Sequence, residues 1–115
     1  MTKCIDVAEL IDSPSALTQE QGDIVYREIV QAFEDGDVIQ LDFSNVESMI
    51  SPFLNNAIGQ LYEKYTSEQI KEHLVPMNFP DEKKATLNIV IGNAKKFYKN
   101  KDAFRKSAKE VLNVE

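Results

Sequence analysis

The spacing of apolar residues alternates along the chain between a period near two and a period between three and four, the pattern of strands alternating with helices. Lys3 to Leu10 alternates weakly through Cys4, Ile5, Val7 and Ala8, which predicts a first strand, and Ser13-Pro14-Ser15 breaks it. Thr18 followed three residues later by Gln21 has the form of a capping box, so a helix is predicted to start there. Val25, Ile29, Ala32 and Phe33 give that helix an apolar stripe, and Gly36 suits a left-handed terminator. Gly22 weakens its first turn slightly.

Val38 to Phe43 is short and rich in β-branched and apolar residues, with Ile39, Leu41 and Phe43 on one face, as in a central strand covered by helices. After a turn-rich stretch from Ser44 to Ile50, Ser51-Pro52 reads as an N-cap followed by proline at the first helical position. The second helix is predicted to bury Leu54, Ala57, Ile58, Leu61 and Tyr65 and to turn Asn55, Asn56, Gln60, Glu63 and Lys64 outward. His73 to Phe79 predicts a third strand, which Pro76 pushes toward an edge or the end of its ladder. From Asp81, the spacing of Leu87, Val90, Ile91, Ala94 and Tyr98 favours a helix, although Leu87, Ile89 and Ile91 also alternate as in a strand. A last amphipathic segment, Asp102 to Leu112, would turn Phe104, Ala108 and Val111 inward. No repeat, low-complexity tract or linker interrupts the sequence, so residues 1–115 are expected to form one α/β domain, a small sheet covered by helices with a helical C-terminal third.

Composition adds little to this picture, but the distribution of charge adds more. The net charge is −6, and it is segregated: residues 1–82 hold sixteen acidic and four basic side chains, while 83–115 hold nine basic and three acidic. Lys95, Lys96, Lys99, Lys101, Arg105, Lys106 and Lys109 form the best candidate for a polyanion-binding face. A solvated helix face or a contact for the acidic body explains the same residues, and nucleic acid is not the expected partner. The start of the chain lacks a signal peptide's apolar stretch, no run is long enough to span a membrane, and the single Cys4 cannot form an internal disulfide, so the expected location is the cytoplasm.

Catalytic and metal chemistry have little to work with. Cys4 and His73 are the chain's only cysteine and histidine, which is too few for a zinc site, and no nucleophile elbow accompanies His73. Gly22, Gly36, Gly59 and Gly92 are scattered, so no phosphate loop can be assembled. Glu34, Asp35 and Asp37 read as solvation of a turn. Asp42, at the end of the central strand, is expected to accept hydrogen bonds from loop N–H groups between Ser44 and Glu47 and to have no catalytic role.

The run Leu41-Asp42-Phe43-Ser44-Asn45-Val46-Glu47-Ser48-Met49-Ile50-Ser51-Pro52-Phe53-Leu54 resembles the signature of the STAS superfamily, in which a strand passes through a short loop ending in Asp-Ser-Ser-Gly into a helix. Ser51-Pro52-Phe53-Leu54-Asn55-Asn56-Ala57 is more similar to the opening of that helix in the STAS-like family of unknown function, small bacterial domains with a Ser/Thr-Ser-Phe-Leu-Asn-Glu-Ala-like run. The resemblance covers most of the chain and implies a binding and switching module. In the related anti-sigma factor antagonists, a serine at this helix start is phosphorylated by a GHKL (histidine-kinase-like) ATPase. Here the acceptor position is Pro52, the preceding Asp is Ile50 and the following Gly is Phe53, which argues against phosphate transfer in that manner. Ser51 is the remaining candidate phosphoacceptor, and a plain N-cap role explains it as well.

The expected function is therefore a non-catalytic, cofactor-free protein-interaction or regulatory module, with a histidine-kinase-like ATPase as the partner the resemblance implies and a homodimer left open. The expected docking surface is Ser48, Met49, Ile50, Ser51, Phe53 and Asn55, where Met49, Ile50 and Phe53 serve either as core plugs or as exposed contacts. The alternative is a nucleic-acid-associated regulator that uses the basic C-terminal helices.

Overall fold

The computed structural model describes residues 1–98. Strand β1 (Thr2–Asp6) leads into a one-turn helix α1 (Val7–Leu10), a two-residue strand β2 (Ser15–Ala16) and the long helix α2 (Gln19–Glu34). Next come β3 (Val38–Asp42), a second two-residue strand β4 (Ser48–Met49) and a helical run made of α3 (Ser51–Leu54), a π-helical segment (Asn55–Gly59) and α4 (Leu61–Lys64). After α5 (Ser67–His73), β5 (Leu74–Met77) and a 3₁₀ turn (Asp81–Lys83), the helix α6 covers 84–98. The expected amphipathic segment 102–112 lies outside the described residues, as do Lys99, Lys101, Arg105, Lys106 and Lys109.

The strands form two parallel sheets, β1-β3-β5 and β2-β4. β3 is central, as its apolar sequence predicts, with Ile5 opposite Leu41 and Leu41 opposite Pro76. Pro76 lies on an edge strand, where its missing N–H costs no ladder bond on the open side. Ile39, Leu41 and Phe43 are buried while Val38, Gln40 and Asp42 are half-buried, so the central strand has one well-covered face. The core there joins these residues to Val25 and Ile29 of α2 and to Phe53, Leu54 and Leu61 of the second helical run.

Helix α2 starts and stops as its sequence dictates. The Gln21 N–H donates to Thr18 Oγ1 (3.1 Å), and Gln21 Oε1 accepts in return from Thr18 N–H (3.1 Å), completing the capping box. At the other end Gly36 adopts φ 76°, and the Gly36 and Asp37 N–H groups donate to Phe33 O (3.1 Å) and Ala32 O (2.9 Å), the paired bonds of a Schellman motif.

Several expectations are corrected. The first strand ends at Asp6 and not at Leu10, because the Asp6 carboxylate accepts from Glu9 N–H (3.2 Å) and caps α1. The third strand runs over Leu74–Met77 and not from His73 to Phe79; His73 closes α5, a helix the periodicity did not reveal. Asn56 and Gln60 do not simply face solvent: their amides donate to Asp23 Oδ1 (3.1 and 3.0 Å), tying the second helical run to α2. Gly22 sits where those helices meet, and a Cβ there would come within 2.6 Å of Phe53 O and 2.8 Å of Asn56 Cβ. The ambiguous stretch 87–91 is helical.

Candidate docking surface

The small β2-β4 sheet sets the geometry of the site. Pairing Ser15 with Ser48 and Ala16 with Met49 in parallel sends both strands the same way, and each runs within a few residues into a helix. Pro14 O accepts from Glu47 N–H (2.7 Å) and Ala16 O accepts from Ile50 N–H (3.2 Å). α2 and the run beginning at Ser51 therefore start side by side.

This pairing moves the helix start by one residue from where the sequence placed it. Its bond to Ala16 holds Ile50 extended (φ −123°, ψ 162°), so Ile50 is the N-cap and Ser51 already lies in the first turn. No side-chain oxygen caps this end, so Ser51 is not the N-cap it was expected to be; Leu54 N–H donates to Ile50 O (3.3 Å).

Of the six residues expected at the docking surface, Ser48, Ile50, Ser51 and Asn55 are exposed. Met49 and Phe53 are 3% and 0% exposed and plug the core, which resolves their two expected roles in favour of packing. Leu17 joins the exposed group and was missed by the sequence reading. It is 47% exposed, Ile50 is 38% exposed, and the Ile50–Ala16 bond brings the Leu17 end of β2 beside Ile50. A signal for Leu17 was present: the residue before an N-cap commonly packs on the fourth helical residue, which here is Gly22 and has no side chain to receive it. Exposed Pro52 and the carboxylates of Glu20 and Glu47 lie close to this pair along the chain.

The loop feeding the site is anchored to the ends of the strands. Asp42 Oδ1 accepts from Ser44 N–H (2.9 Å), as expected, and from the Asn78 amide (3.1 Å). The Ser44 backbone bond, followed by the Asn78 bond, holds the Asp42 carboxyl below its ordinary value. Asp6 Oδ2 accepts from the Asn45 amide (2.7 Å), so two successive residues at the start of the loop are tied to strand-end carboxylates.

The remaining candidates hold structural positions. His73 Nδ1 lies 3.1 Å from Asp37 O, and its ring packs at 5.8 Å on Phe33. Cys4 is an exposed free thiol. Among the described residues no three His, Cys, Asp or Glu side chains are grouped to hold a metal, and no helix is long and apolar enough to cross a membrane. Of the basic set, Lys95 and Lys96 are described and both are exposed on α6.

A family model described as a STAS-like domain of unknown function (DUF4325) matches residues 21–84, which run from the first turn of α2 to the first residue of α6. No curated protein and no solved structure matches the chain. With more than half of its length covered by that match, the chain belongs to the STAS-like domain family of unknown function.

Proposed function

We propose that this domain is a non-catalytic protein-interaction module that docks its partner on the exposed Leu17–Ile50 pair, with Ser48, Ser51, Pro52 and Asn55 around it. One observation carries the reading: two large apolar residues stay exposed at the adjoining ends of β2 and β4, where two helices begin, while Met49 and Phe53 nearby are fully packed. Exposed apolar residues of this kind, rimmed by polar ones, are the usual anchors of a protein contact. A histidine-kinase-like ATPase is the partner class the family resemblance offers, and Ser51, the candidate phosphoacceptor, is exposed.

The test is capture from native lysate with the wild type, Leu17→Asp, Ile50→Asp and the control Ile89→Asp, which alters an exposed apolar residue on α6. A protein retained by the wild type and the control but lost from both site variants supports the assignment. Retention by all four contradicts it.

A further inference from the structure

All four tyrosines of the chain gather at one place, and the chain has no tryptophan. Tyr62, Tyr65 and Tyr98 line an open cavity of about 590 Å³ between the end of α4 and the last described turn of α6, together with Lys64, Lys95 and Glu63. Tyr26 of α2 stands close enough to sense the Glu63 carboxylate and the Tyr65 and Tyr98 phenols. The cavity lies at the far end of the 51–64 helical run from the docking surface, roughly 20 Å away at 1.5 Å per helical residue.

The groups around the cavity select a ligand by their chemistry. Tyr65 is fixed edge-on against Phe33, with ring centroids 4.9 Å apart, and the Lys95 ammonium stands 5.8 Å from the centroid of Tyr62. Burial raises the phenol pKa values of Tyr26, Tyr62 and Tyr98, so at neutral pH these hydroxyls keep their protons and can donate. A cationic guest would find Lys64 and Lys95 among the lining residues, the Lys95 ammonium already over a ring face, against the single carboxylate of Glu63. An anionic oxygen would meet the Lys95 ammonium and the phenols of the lining tyrosines, with two lysines outnumbering the one carboxylate, and a flat ring attached to it would meet the tyrosine rings. The volume falls within the range of small-molecule sites.

We infer that this cavity binds a small aromatic anion: a flat ring bearing a carboxylate or a phosphate, held by the Lys64 and Lys95 ammonium groups and the Tyr62, Tyr65 and Tyr98 side chains. Because the chain has four tyrosines, ring-¹³C tyrosine spectra read this site residue by residue. The protein is titrated with 3-phenylpropanoate and with uridine monophosphate, two sources of the same chemistry, and with phenethylammonium and cyclohexanecarboxylate, which remove the negative charge and the aromatic ring respectively. Saturable shifts at Tyr62, Tyr65 and Tyr98 are expected with at least one aromatic anion, and the tighter of the two identifies carboxylate or phosphate as the preferred group. Binding should weaken roughly tenfold or more, about 1.4 kcal/mol, for each control compound and for Lys95→Met, which keeps the side-chain stem and loses the charge. The same spectra show whether the variant is folded. No saturable shift with either aromatic anion, equal binding of phenethylammonium, or unchanged binding by Lys95→Met would overturn the inference.

Discussion

Ile50 occupies a position where a helix ordinarily gains from a side-chain oxygen, yet it presents a half-exposed apolar side chain and no cap. This makes folding and docking separable at one residue. Ile50→Asp supplies the missing cap and should raise stability by about 0.5–1 kcal/mol while abolishing partner capture. Ser51→Ala removes no capping bond and should change stability by less than about 0.5 kcal/mol; both effects are read from denaturant midpoints. Gly22 is the converse case. Alanine there would ordinarily strengthen a helix by about 0.8–1 kcal/mol, but its methyl group meets Phe53 O at 2.6 Å, and Gly22→Ala should instead cost about 1–3 kcal/mol as the two helices are forced apart. Asp42 gives a pH dependence. Its carboxyl is held below its unfolded value, so its contribution is present above the unfolded pKa and is lost as the pH falls through the folded one. In thermal melts, the advantage of the wild type over Asp42→Asn at neutral pH should close in the acid range.

At the scale of elements, what was legible depended on length and on local chemistry. The sixteen-residue α2 announced both of its ends, through Thr18 and Gln21 at one and Gly36 at the other. The seven-residue α5 buries Ile70 alone and so shows no periodicity, although Thr66 and Gln69 form the same reciprocal cap, with bonds of 3.1 and 2.9 Å. That signal could have revealed the helix. Thr66→Ala should cost about 1 kcal/mol, and hydrogen exchange should show the protection lost first within 67–73 if the cap holds α5 in place. β2 and β4 have two residues each, too few for any alternation to be visible, and the pairing of these strands is what moves the helix start from Ser51 to Ile50. The one-residue error at the cap was therefore a tertiary effect that local propensity cannot report.

Across the whole molecule, the three-stranded parallel sheet supplies a frame in which the strand-end carboxylates Asp6 and Asp42 fasten the 43–47 loop, and the second small sheet brings two helix starts together. The α/β class, the central strand and the region of the site were readable because they rest on periodicity and on the run from Leu41 to Leu54. The pairing of Leu17 with Ile50 was not, because these residues are thirty-three positions apart and meet only through β2 and β4. The charge segregation shows the same division: the acidic part of the chain carries the docking surface, while Lys95 of the basic part closes on Tyr62 at the opposite end of the helical run. The most direct test of that arrangement places a photo-crosslinking amino acid at position 17, 50 or 89 of the intact chain in its native cells. Crosslinks from 17 and 50 to one and the same protein, with none to it from 89, are the predicted result; a partner crosslinked from 89 and from neither 17 nor 50 would contradict the account.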